Sequence, residues 1–104
     1  MRELKRPIRI KRYKSYASFE FACLKTDMTY LEILLYSYIR SWNITQEKPV
    51  NNYSVNIAKD LHRTSKTIDK ALSNLYKKGW VNNFHENGKR LLIACDLETQ
   101  QCLI

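Results

Sequence analysis

Lys66, Lys70 and Lys77 recur four and seven residues apart, with Ser73 between the last two. In a helix that turns about 100° per residue these positions share one face, and a column of ammonium groups there binds a polyanion. Behind it, Ile68, Ala71, Leu72, Leu75 and Tyr76 are spaced three and four apart and form an apolar stripe. A helix built this way can stay packed on its own domain through one face and lie in a DNA groove with the other. Catalytic chemistry has much less to work with. His62 and His85 have no evident partner with which to form an acid–base or nucleophilic site. Gly79 and Gly88 alone cannot build a glycine-rich phosphate loop, and Cys23, Cys95 and Cys102 have spacings that fit no zinc motif. No enzymatic activity, metal or cofactor is therefore expected, and the cysteines read as reduced, buried thiols.

The elements that must position the lysines can be read on either side of them. Ser54 can cap a helix whose apolar side is Val55, Ile57, Ala58 and Leu61, ending at the polar pair His62-Arg63. Thr64 can cap the lysine-bearing helix, and Gly79 closes it where a left-handed residue costs little. Next come two β-prone runs, Trp80 to His85 and Arg90 to Cys95, flanking Glu86-Asn87-Gly88-Lys89. Asn-Gly between such runs predicts a hairpin with a type I′ turn, whose tip would present Lys89 and Arg90 to phosphate or the minor groove and Asn87 to backbone atoms. Two helices meeting at a polar break, followed by a hairpin, make a helix-turn-helix with a wing.

Upstream, Thr29 and Glu32 form a capping box, Asp27 adds negative charge before the first turn, and Met28 with Ile33 occupy staple positions. The helix is expected to run to about Trp42, with Leu31, Leu34, Leu35, Tyr38, Ile39 and Trp42 inward. Ile33 and Tyr36 fall on the other side beside Arg40, to be covered by the amino-terminal segment or by a second subunit. From Tyr16 to Leu24, Phe19 and Phe21 alternate with Ser18 and Glu20, the period of a half-buried strand that would pair with the hairpin. Residues 43–53 read as a loop. The expected class is α+β, mainly α: three helices, a carboxyl-terminal hairpin and an amino-terminal strand. The expected organisation is a basic arm over 1–14, one domain over 15–97 and a tail over 98–104 with no clear pattern, where Leu103 and Ile104 pack on a partner or fray.

The net charge of +8 is unevenly placed. Residues 1–14 hold seven bases against Glu3, and residues 59–90 hold eight against three acids, while the rest of the chain is slightly acidic. The arm carries Arg6, Arg9, Lys11 and Arg12 and can neutralise phosphate or enter a minor groove. No apolar stretch approaches the roughly 20 residues a membrane span needs, and the first residues are charged rather than apolar, so a cytoplasmic protein is expected.

These residues resemble a winged helix-turn-helix domain, similar to those of small phage and plasmid regulators and to the amino-terminal domains of some plasmid replication initiators. The resemblance spans roughly Thr29 to Ile93. It is carried by Leu34-Leu35-Tyr36, Ile57-Ala58-Lys59-Asp60-Leu61, Thr64-Ser65-Lys66-Thr67-Ile68, Ala71-Leu72, Leu75 and Gly79-Trp80-Val81. It implies base-reading positions at Ser65, Lys66, Thr67, Asp69, Lys70 and Ser73, and phosphate contacts from Tyr53, Ser54, Thr64, Lys77, Lys89 and Arg90. Two departures stand out: a polar His62-Arg63 turn where many such domains place Gly and an apolar residue, and an acid, Asp69, among the lysines. Asp69 could accept from cytosine, pair with Lys66 or Arg63, or tune the local field. The expected function is sequence-specific binding of double-stranded DNA by a homodimeric transcriptional regulator of a mobile element, with no small-molecule effector. The alternatives are an accessory protein of replication, transfer or packaging, and a protein-binding module.

Overall fold

The computed structural model describes residues 13–51, 54–86 and 88–103, with the backbone alone at Ser54 and Val55. The class is α+β and mainly helical. Among the described residues there are four helices, α1 (Tyr16–Leu24), α2 (Tyr30–Gln46), α3 (Ser54–Leu61) and α4 (Ser65–Lys78). An antiparallel hairpin of β1 (Val81–Glu86) and β2 (Lys89–Ala94) follows them.

The first element corrects an expectation. Tyr16–Leu24 is a helix, not a strand, and it packs on α2 instead of pairing with the hairpin. Ser15 caps it by accepting from the Ser18 N–H, and Phe19 and Cys23, one turn apart, are its buried residues. A strand would have put Phe19 and Phe21 on one face, yet Phe21 is 66% exposed. Phe19 instead stacks on Tyr36 of α2, with centroids 6.2 Å apart and rings 12° from parallel. Tyr13 meets Phe19 edge-on at 5.3 Å, and the Arg40 guanidinium lies over both rings. The side of α2 around Ile33 and Tyr36 is thus covered by its own chain.

That cover changes which face of α2 is inward. Ile33, Leu35, Tyr36, Ile39 and Asn43 are buried, whereas Leu31, Leu34, Tyr38 and Trp42 are only half-buried. The helix also continues past Trp42 to Gln46 and ends at Glu47 in the left-handed region (φ 54°). Its start is as expected. Thr29 accepts from the Glu32 N–H at 3.3 Å while Glu32 accepts from the Thr29 N–H at 3.1 Å, and Met28 and Ile33 are both buried.

Glu32 does more than cap. Its carboxylate accepts from Lys78 at 2.6 Å, Lys78 also donates to the Asp27 carbonyl at 2.7 Å, and the Trp80 indole N–H donates to the Asp27 carboxylate at 2.7 Å. The start of α2 is therefore fastened to the end of α4. Burial alone would raise the Glu32 pKa, but the hydrogen bonds from Lys78 and the Thr29 N–H, the Lys78 charge and a bond from Asn74 outweigh it and hold the carboxyl below its usual range. A carboxyl depressed in the folded state stabilises above its unfolded pKa of about 4.3, and that stabilisation is lost as pH falls through the folded value. Glu32→Gln is accordingly expected to cost about 1–3 kcal/mol at neutral pH. Thermal melts across pH 3 to 7 should show wild type losing stability below about pH 4 and the variant losing less. Equal losses would place the acid sensitivity elsewhere.

β2 is the central strand of a larger arrangement. β1 pairs on one side, in the register Val81↔Ala94 to Glu86↔Lys89. On the other side Val50 exchanges both backbone hydrogen bonds with Leu92, at 2.9 and 2.8 Å. The Asn43 side chain accepts from Ala94 N–H at 2.7 Å and donates to Leu92 O at 3.3 Å and Lys48 O at 3.1 Å. The chain then turns at Asp96 and comes back, so that Leu103 N–H bonds Ala94 O and Leu103 is fully buried. A loop residue, an amide side chain and the returning tail together occupy the outer edge of β2.

Candidate nucleic-acid interface

α3 and α4 are joined by His62, Arg63 and Thr64. The turn closes α3 with two reversed bonds, Arg63 N–H to Ala58 O at 2.9 Å and His62 N–H to Lys59 O at 3.3 Å, around a left-handed His62 (φ 56°). This is a Schellman closure, in which the left-handed position favours glycine because it has no Cβ. The polar turn keeps the ordinary geometry and carries the strain on His62. His62→Gly is therefore expected to raise stability by about 0.5–1 kcal/mol, read as a higher midpoint in urea. A lower midpoint would mean that the imidazole makes a contact worth more than the strain.

Thr64 caps α4 as expected, accepting from Thr67 N–H at 3.2 Å, with the two hydroxyls 2.8 Å apart. At the other end Gly79 takes φ 85° and the Trp80 N–H bonds Leu75 O at 3.0 Å, the same closure with a glycine in place. A Cβ on Gly79 would also come within 3.3 Å of Gln100. Ile68, Ala71, Leu72 and Leu75 are buried against α2, α3 and β1. Tyr76 is not: it is 53% exposed, because it lies about 100° from the centre of that stripe, at its margin.

Lys66, Lys70, Ser73 and Lys77 are all exposed and form one column on the outer face of α4. At a rise of about 1.5 Å per residue it is about 16 Å long. Lys78, its neighbour in sequence, points the other way into Glu32 and Asp27. Of the other residues carried over by resemblance, Ser65 is half-buried, and the Thr67 hydroxyl is engaged with Thr64. Asp69, 58% exposed, turns toward the hairpin, with its carboxylate 3.9 Å from the Arg90 guanidinium. That places Arg90 beside the amino-terminal half of α4, across from the residue that sequence proximity would pair with Lys66 or Arg63. Arg63, whose guanidinium donates to Leu61 and His62 carbonyls of its own turn, lies at the same end of α4. The signal was available, since a base directly before a capping threonine must sit at that helix start.

The hairpin is buried at its open end and exposed at its tip: Val81 and Leu92 to Ala94 are buried, while Asn83 to Glu86, Gly88 and Lys89 are exposed. Gly88 has φ 76°, which suits the second central position of a type I′ turn. Lys89 stands opposite Glu86, and Arg90 opposite His85. Tyr53, Asn87, and the arm residues Arg6, Arg9, Lys11 and Arg12 lie outside the described residues, as does the Ser54 side chain.

Among the described residues no group of histidines, cysteines and acids could hold a metal, and no helix is long and apolar enough to cross a membrane. Burial pushes the Cys23 thiol up to about 11 and the Cys95 thiol up to about 12, which keeps both mainly protonated at neutral pH. No protein-family model, curated protein or solved structure matches the chain.

Proposed function

We propose that this chain is a sequence-specific double-stranded DNA-binding protein of winged helix-turn-helix design, acting as a small transcriptional regulator of a phage or plasmid. In this reading α4 enters the major groove, with Lys66, Lys70 and Ser73 at base edges and Lys77 at phosphate, and the hairpin is the wing that carries Lys89 and Arg90 to the adjoining backbone. The observation that carries it is the lysine column on the free face of a helix whose opposite face is buried in the core, with a cationic hairpin tip beside it. The mobile-element role rests on the resemblance alone. A homodimer is part of the proposal because palindromic operators match two-fold proteins. The exposed Phe21 and Leu24 of α1 offer it an apolar surface.

Selection from random duplexes, with light scattering on the free protein, tests the reading. A recovered consensus with two-fold symmetry and a dimeric mass support it. With Lys77, Lys89 and Arg90 on phosphate, log affinity should fall against log salt with a slope of about −2.7. No enriched sequence together with salt-independent retention would sink it and favour a protein-binding module.

A further inference from the structure

We infer that Cys95 and Cys102 are a dithiol site that closes to an intrachain disulfide by exchange with a low-molecular-weight disulfide such as oxidised glutathione. The two residues face each other across an antiparallel bridge. The bonds flanking them run from Asp96 N–H to Gln101 O at 2.8 Å and from Leu103 N–H to Ala94 O at 3.1 Å, so the cysteines exchange none themselves. This is the non-hydrogen-bonded kind of pair, in which Cα atoms stand about 4.5 Å apart and side chains are closest. That separation lies within the about 4.4–6.8 Å that disulfides span.

The intervening turn holds this geometry without help from a covalent bond. Asp96 is buried and its carboxylate accepts from Glu98 N–H and Thr99 N–H, each at 3.1 Å, while Gln100 N–H returns to Asp96 O at 2.8 Å. Closing the bridge therefore needs no rearrangement of the backbone.

The two sulfurs have different roles. Cys102 is half-buried, with its sulfur accepting from the Asn82 amide, and Cys95 is buried. The Cys102 thiolate attacks the external disulfide RS–SR, forming Cys102–S–SR and releasing RS⁻. The Cys95 thiol then loses its proton to solvent and attacks the Cys102 sulfur, and a second RS⁻ leaves. The two cysteines are oxidised by two electrons and RS–SR is reduced to two thiols. After burial, the neighbouring Cys102 thiolate is the cause that keeps the Cys95 proton on. Mixed-disulfide formation removes that charge, so the first step prepares the second. The closed bond ties the returning tail to β2, beside the Gln100 amide that bonds Lys78 O at the end of α4.

The sequence provides a clean readout, because no Lys or Arg follows Arg90, whereas Cys23 alone lies between Lys14 and Lys25. Full-length protein is equilibrated with oxidised glutathione, unfolded in iodoacetamide and digested with trypsin. The peptide beginning at Leu91 is expected to lose two hydrogens and take up no alkyl group, the Cys23 peptide to be fully alkylated, and the melting temperature to rise by several degrees. Cys102→Ser should lose all of this while melting close to the reduced wild type. Stable glutathionylation of Cys102 with Cys95 still alkylated, or a Cys102–Cys102 link between chains, would overturn the inference.

Discussion

Replacing Lys66, Lys70 and Lys77 together by alanine is expected to weaken duplex binding by at least about 10²-fold near 0.15 M salt and to make the salt slope shallower by about 0.9. Lys66 and Lys70 each lose a base contact worth about 1–3 kcal/mol, and Lys77, the phosphate-bound cation of the three, accounts for the about 0.9 in the slope. All three side chains are exposed on α4, and the apolar face that holds the helix is untouched, so the melting temperature should hardly move. Lys78→Ala is the matched control. It removes one charge beside Lys77, but from the inward ion pair with Glu32, and should lower stability while leaving the salt slope near the wild-type value. If the triple variant binds as wild type does, the lysine column is a solvated surface and the proposed function fails.

The largest loss of stability from a single side chain is expected at Asn43. It is fully buried and its amide satisfies three backbone groups on two segments: the Ala94 N–H, Leu92 O and Lys48 O. Asn43→Ala leaves the buried Ala94 N–H without an acceptor, strips Lys48 O of its side-chain donor and opens a small cavity at the foot of α2. A cost of about 2–4 kcal/mol follows. Asn43→Asp separates polar contact from volume. It keeps an acceptor for Ala94 but aims a carboxylate oxygen at two carbonyls, so it should cost at least as much as alanine. Urea unfolding with an unchanged slope would read both, and a cost below about 1 kcal/mol for either would show that water replaces the amide.

How much of this was legible in the residues depended on whether the signal was local. The Thr29–Glu32 box, the Thr64 cap, the Gly79 closure and the Asn87-Gly88 hairpin each depend on neighbours within a few positions, and the observed element starts and ends follow them. α1 misled because Phe19, Phe21 and Cys23 fit a period of two, while Phe19 and Cys23 by themselves also fit a one-turn spacing. The choice was made by a ring 17 positions away, Tyr36, against which Phe19 stacks. Periodicity sets Lys78 off the column that Lys77 joins, but its partners there, Glu32 and the Asp27 carbonyl, are distant in sequence. The lysine column was readable from periodicity. The approach of Arg90 to Asp69 was not, since it depends on how the hairpin leans on α4.

The outer side of β2 bears on how this chain meets other copies of itself. Leu92, Ala94 and Asp96 have their outward backbone groups taken by Val50, Asn43, Leu103 and Gln101. A sheet edge left open is a template on which a strand from another molecule can add, and it is a common route to fibrils. Here the template is used up within the chain, by groups that are not themselves a strand. Assembly at that side must proceed through side chains, and the tail that blocks it is the segment whose loss would most expose the protein to aggregation.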